Sequence, residues 1–241
     1  TFQFANADVG AYHDFYLFII LGILAGVVSL LFIRYSSVIS ELFGKHLKKK
    51  YPQWLLMSIV GLTVGVVGFF YSEIFGIGYE TIGKLLNEPV AWQLALILLI
   101  FKFLLVPLIL SSGGFGGIFA PSLFMGATFG YLFAFILQNV FGMEVNTTTF
   151  VLVGMGAMLG GINSIPISAI MIIFEMTKDY AFILPLMLAV VMSTLIVQWK
   201  LKGTITAKHL EEEGFEISAG RDSSVLKSMT VADVMQRDIF M

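Results

Sequence analysis

The chain has 241 residues, of which 58% are hydrophobic and 12% charged; an average soluble domain is roughly one-quarter charged. With 23 Phe, 24 Gly, no Cys and a net charge of −2, the composition excludes an ordinary soluble enzyme, a disordered chain, a disulfide scaffold and any thiolate metal site, and it gives no reason to expect a nucleic-acid partner. What remains is an all-α integral membrane protein whose surroundings are the lipid bilayer, with its length counted in crossings.

Taken in chain order, residues 1–14 carry Asp8 and Asp14 and no Lys or Arg. The first residue is Thr1 and no basic region opens a signal peptide, so the chain is expected to be a piece of a longer one. Stretches 15–33, 51–72 and 180–199 are free of charge and each about one span long. Residues 89–110 form a further span, interrupted by Lys102, and that charge has two readings: a functional intramembrane cation or a side chain that snorkels to an interface. Residues 103–143 are too long for one span and break at 111–117, and residues 145–174 break in the same way at 160–166. About six to eight membrane helices are expected, several of them short or broken.

Lys45, Lys48, Lys49 and Lys50 follow the first span, and Lys200 and Lys202 follow the last. Basic residues in short loops favour the cytoplasm, so the first span should run inward. Charges crowd the chain from Lys200 onward, which predicts a soluble cytoplasmic tail.

The most informative segment runs Ser111-Ser112-Gly113-Gly114-Phe115-Gly116-Gly117-Ile118-Phe119-Ala120-Pro121. A glycine costs about 1 kcal/mol against Ala inside a helix, so this run breaks one, and Pro121 fits the first turn of the next. A helix that starts within the membrane aims unpaired N–H groups and a partial positive charge at one point, and glycines leave those amides uncovered. That is an anion site made of backbone, suited to a weakly hydrated monovalent anion that must bind and leave. The competing reading is a glycine-rich packing motif or a kink.

The run Gly116-Gly117-Ile118-Phe119-Ala120-Pro121 resembles the signature of the CLC chloride channels and chloride/proton antiporters. Gly76–Ile82, the pair Gly154–Ala157 and Ile165–Ala169, Phe174–Thr177 and then Tyr180–Gln198 resemble further family segments in the expected order. The resemblance implies a CLC-type inverted-repeat fold of which residues 1–203 are the second half only. Residues 204–227 would be the final helix and linker, and residues 228–241 (Ser228 to Met241) the truncated start of a CBS domain.

It implies chloride as the transported ion, with no enzymatic activity and no cofactor. Adenine nucleotide binding would need a complete CBS region. It further implies a homodimer through the last membrane helices, within about 165–198, and a bacterial inner-membrane location. The implied anion-binding residues are Gly117, Ile118, Phe119, Ala120 and Pro121, with the Ile118 and Phe119 amides pointing at the central anion. Aligning Thr204-Ile205-Thr206 with the family's Ser-Ile-Tyr segment places Thr206 where the family carries Tyr, with a hydroxyl but a shorter reach.

The first half would supply a Gly-Ser-Gly-Ile-Pro segment and a Gly-(Lys/Arg)-Glu-Gly-Pro segment with its gating Glu. Neither occurs in these 241 residues, so this chain alone is expected to be inactive. The alternative is a split-gene subunit or a non-transporting membrane scaffold that needs a separate first half. Glu175, beside Lys178 and Asp179, reads as a cap or an interfacial ion pair. His13, His46 and His209 have no ligand partner at helical spacing, and the methionines of the last spans read as packing and dimer surface.

Overall fold

The computed structural model describes residues 15–76, 78–87, 90–178 and 180–201, without the side chains of His46, Lys49 and Ala181. These residues are mostly helical, with no strand among them. Helix α1 (Phe15–Leu42) passes through a π-helical turn (Phe43–Leu47) into the short α2 (Lys48–Lys50). The order continues α3 (Gln53–Phe70), a 3₁₀ turn (Ser72–Ile74), α4 (Tyr79–Asn87), α5 (Trp92–Ser112), α6 (Phe119–Asn139), α7 (Thr147–Asn163), α8 (Pro166–Thr177), a 3₁₀ turn (Tyr180–Phe182) and α9 (Ile183–Leu201).

Five described helices are long and apolar enough to cross a bilayer: Phe15–Lys45, Gln53–Phe70, Trp92–Ser112, Phe119–Asn139 and Ile183–Leu201. The apolar helices α7 and α8 are shorter, at 17 and 12 residues. The expected breaks both appear. Residues 103–143 divide where α5 ends at Ser112 and α6 starts at Phe119, and residues 145–174 divide between Asn163 and Pro166. Two spans differ from the sequence reading. Helix α1 does not stop at the first charge but runs through Arg34, whose side chain is exposed. Helix α5 is continuous through Lys102.

Helix α7 is the centre of the bundle. Almost every residue from Thr149 to Ile162 is buried, as expected of a helix that is apolar on all sides. Its start is capped, since Asn146 Oδ1 accepts from the N–H groups of Thr148 at 3.0 Å and Thr149 at 3.4 Å. Its neighbours approach closely because small residues line each contact. A Cβ on Gly126 of α6 would lie 2.5 Å from the Gly154 carbonyl oxygen, and one on Gly130 would lie 2.2 Å from that of Phe150. This is small-xxx-small packing, in which removing side chains lets two backbones touch.

A second such crossing joins α1 to α9. A Cβ on Gly22 would lie 2.5 Å from the Ala189 carbonyl oxygen, and one on Gly26 would lie 2.9 Å from that of Ser193. The register 22 to 189 and 26 to 193 makes these helices parallel. The basic end of α1 (Lys45, Lys48) and Lys200 of α9 therefore lie at the same end of the bundle.

Apolar packing completes the frame. Phe18 stacks on Phe150 with ring centroids 5.0 Å apart, which seats α1 on α7. Ile82, Leu98, Phe124, Val151, Met155 and Leu186 form the core between α4, α5, α6, α7 and α9. The outer surface is apolar as well. Leu62, Phe69 and Phe70 of α3 are 70%, 84% and 73% exposed, which suits contact with lipid rather than water.

Candidate functional site

The site begins with the way α5 ends. Gly113 adopts φ +99°, the left-handed region that only glycine enters without strain. Its N–H donates to the Leu110 carbonyl at 3.2 Å and that of Gly114 donates to Ile109 at 3.0 Å. The two bonds form a Schellman motif that satisfies the last carbonyls of α5 and turns the chain out of the helix. Side-chain-free backbone then leads through Gly116 and Gly117 to Ile118, the N-cap of α6.

The start of α6 is uncapped by any side chain. The first bond of the helix is Ser122 N–H to the Ile118 carbonyl, 3.0 Å. The N–H groups of Ile118, Phe119 and Ala120 find no acceptor among the described residues, and Pro121 at the third helical position has no N–H to satisfy. Three neighbouring amides and the positive end of a 21-residue helix dipole therefore converge at one point. Pro121 sits within the first turn as expected from the sequence, although the helix starts two residues earlier, at Phe119.

Within 113–117 the glycines differ: a Cβ on Gly113 would meet Gln53 Nε2 at 2.1 Å and one on Gly114 an Ile109 methyl at 2.8 Å, whereas Gly116 and Gly117 are not packing positions. A Cβ on Gly117 would meet nothing within 4 Å, and one on Gly116 would meet only a Leu110 methyl, at 3.6 Å. The helix-packing glycines lie elsewhere, at Gly22, Gly26, Gly126, Gly130 and Gly154. Gly117 instead leaves open space in front of the amides.

The first turn of α6 is tied to the bundle through Ser122, while Gly116, Gly117 and Phe119 are exposed. Asn163, at the end of α7, donates through Nδ2 to Ser122 Oγ at 3.2 Å, and Ser122 Oγ donates in turn to the Phe119 carbonyl at 2.6 Å. Near that end of α7, Ser29 Oγ of α1 donates to Met158 Sδ at 3.4 Å. Ser29 belongs to the charge-free part of α1, which ends at Ile33, about 6 Å farther on at 1.5 Å per residue. Sequence reasoning missed Asn163 and Ser122, and the break at 160–166 was the available signal.

Lys102 does not snorkel. Its residue is 6% exposed, its Nζ donates to the Gly76 carbonyl at 2.9 Å, and it lies 5.0 Å from the centre of the Phe124 ring. Lys102 shares a cavity of about 390 Å³ with Ile74, Gly76, Gly116, Gly117 and Pro121. Among the described residues, no three His, Asp or Glu side chains come together as metal ligands.

Glu175 is exposed and forms no ion pair among the described residues. The end of α8 is closed instead by the Lys178 N–H to the Phe174 carbonyl, 2.7 Å, so the expected cap or ion pair at Glu175 is not seen there. Thr206, His13, His209, Asp179 and the segment 228–241 lie outside the described residues, as does the side chain of His46. Met155 and Met158 are fully buried, whereas Met171 and Met187 are 57% and 46% exposed.

The broken helices, the uncapped α6 start and its glycine approach can be set against known proteins. Residues 1–198 match the voltage gated chloride channel family. The chain belongs to that family. It is 31% identical over 233 residues to the H(+)/Cl(-) exchange transporter ClcA of Citrobacter koseri, a match covering 92% of this chain and 48% of that protein. Among solved structures, a eukaryotic CLC transporter aligns with a TM-score of 0.73 and 27% identity, over 86% of this chain and 36% of that one. A slow cyanobacterial Cl-/H+ antiporter shares the fold, with a TM-score of 0.74 and 24% identity over 88% of this chain and 51% of that one. The chain spans about half the length of such relatives, or less.

Proposed function

We propose that this chain is the anion-binding half of a CLC-type chloride transport protein, and that chloride binds at the Ile118, Phe119 and Ala120 amides. The observation that carries this reading is the start of α6: a helix begins beside the end of α7, uncapped, with three free N–H groups next to an open glycine. Backbone amides hold a monovalent anion without burying a fixed counter-charge, so the ion can also leave. Family membership and the exchange-transporter relative agree with chloride as the transported ion. The protein acts as a transporter and not as an enzyme, and it needs no cofactor for this step.

In this reading residues 1–203 are the second of two inverted halves, residues 204–227 the final helix and linker with Thr206 near the ion, and residues 228–241 the start of a CBS domain. The share of its relatives that the chain covers agrees with a half. The basic end of α1 and Lys200 share one end of the bundle, which agrees with a cytoplasmic placement of both. A homodimer would form through α8 and α9. Ile167, Met171, Leu184, Met187, Val191, Leu195 and Trp199 recur at helical spacing and are 42–81% exposed, an apolar stripe that a second subunit would cover.

The test is chloride efflux from liposomes. The full-length protein should release chloride, the 241-residue chain alone should not, and full-length Gly117→Leu should be strongly slowed. Efflux from the isolated chain, or unchanged efflux from the variant, would refute the assignment.

A further inference from the structure

The lysines between α1 and α3 take no part in the amide site, yet they are held on ordered backbone. Four of them fall within residues 45–50. Helix α1 passes without a loop through its π-helical turn into α2, so these residues are carried on helix. Phe43 of that turn is buried and packs with Leu56 and Val60 of α3. The Tyr51 N–H donates to the Leu47 carbonyl at 2.9 Å, and Pro52 then forms the N-cap of α3. The lysine turn is thereby fastened to the first turns of α3.

Helix α3 sets the depth of that turn. Its 18 residues rise about 27 Å at 1.5 Å per residue, close to the ~30 Å of a hydrocarbon core. Trp54, the second residue of the helix, therefore lies at the boundary with the headgroups, and Tyr51 precedes the helix at the same end. Both rings face outward, at 67% and 39% exposure, and this is the level of a bilayer that Trp and Tyr prefer. Lys48 and Lys50 are exposed beside them, with Lys50 Nζ 5.6 Å from the centre of the Tyr51 ring. Lys45 pairs with Glu41, the one carboxylate within residues 41–50, so the turn keeps an excess of positive charge.

We propose that the turn from Lys45 to Trp54 is a binding surface for the headgroup of an anionic phospholipid. Lys48 and Lys50 supply the ammonium groups that pair with the lipid phosphate, while Tyr51 and Trp54 rest against the glycerol and the upper acyl chain. Basic clusters directly beside a membrane helix attract anionic lipid, and the positive excess here disfavours a zwitterionic headgroup. Lysines that served only to orient the chain would not need two aromatic rings at a fixed depth beside them. The surface holds no part of the amide site, so the proposal stands apart from the transport reading.

The test is quenching of tryptophan fluorescence in the full-length protein, reconstituted into phosphatidylcholine vesicles that contain either brominated phosphatidylglycerol or brominated phosphatidylcholine. The Trp54 signal is the difference between wild type and Trp54→Phe. Brominated phosphatidylglycerol should associate more strongly at equal mole fraction, by about fivefold for each lysine in contact. The preference should vanish in about 1 M salt, where the Debye length is about 3 Å. The double variant Lys48→Gln/Lys50→Gln should lose the preference at low salt, while brominated phosphatidylcholine still quenches. The salt series on the wild type requires no lysine variant and so decides the matter even if that variant does not fold.

Equal quenching by the two lipids in the wild type would overturn the proposal, as would a preference that survives in the double variant. A Trp54 signal that neither lipid quenches would overturn it by showing that another part of the protein covers this surface. Displacement of phosphatidylglycerol by free glycerol phosphate would assign the lysines to a soluble anion and overturn it equally.

Discussion

Asn163 donates to Ser122 across 3.2 Å, and that bond fixes the end of α7 to the first turn of α6. The two residues are 41 positions apart and both belong to breaks in the membrane helices. The bond turns two interruptions into one junction. It orients the α6 start through Ser122, whose hydroxyl then passes the hydrogen bond on to the Phe119 carbonyl. Asn163→Ala should therefore cost about 1 kcal/mol of stability, the net worth of such a bond, as measured by denaturation in detergent. It should also lower chloride affinity, because the amides are less firmly aimed.

The glycines divide into two groups with opposite expected behaviour. At Gly130 a Cβ would sit 2.2 Å from a carbonyl oxygen, so Gly130→Val must push α6 from α7. Overpacking of this kind costs roughly 1–3 kcal/mol or more, visible as a lower melting temperature. At Gly117 a Cβ meets nothing, so Gly117→Ala should leave the melting temperature unchanged within error.

Ser193 offers a prediction in the other direction. Its Oγ is buried and has no hydrogen-bond partner among the described residues. An unsatisfied buried hydroxyl contributes a penalty rather than a bond. Ser193→Ala should be neutral, or stabilising by up to about 1 kcal/mol, in the same denaturation assay. A loss larger than that would mean that the hydroxyl is satisfied in the full-length protein.

The α1–α9 crossing separates packing from transport. Gly22→Leu should disrupt the parallel contact at Ala189 and lower thermal stability, while chloride affinity per folded molecule stays near wild type, since the crossing holds no part of the amide site. Calorimetry on the folded fraction checks this.

The sequence was informative wherever local chemistry decides structure. The Gly113–Gly117 run and Pro121 announced a broken helix because glycine and proline act on their own backbone. Pro166 did the same for α8. Arg34 misled, because a charge can leave a helix on its exposed face without ending it. The setting of Lys102 was hidden for a different reason: its carbonyl partner, Gly76, lies 26 residues away, and only the packing of α5 against the turn before α4 brings them together. Asn163 and Ser122 were hidden likewise. The glycines that pack helices and those that free the amides look alike in one dimension, and only the space around each Cβ distinguishes them.

The central claim is that chloride is held by backbone amides at the start of α6. The most direct measurement is the anomalous scattering of bromide soaked into crystals of the full-length protein. The account predicts a bromide peak within about 3.5 Å of the Ile118 and Phe119 nitrogens, the range of a hydrogen bond to an anion, and loss of that peak in Gly117→Leu crystals of unchanged fold. Bromide bound elsewhere in the membrane region, with none at these amides, would contradict it.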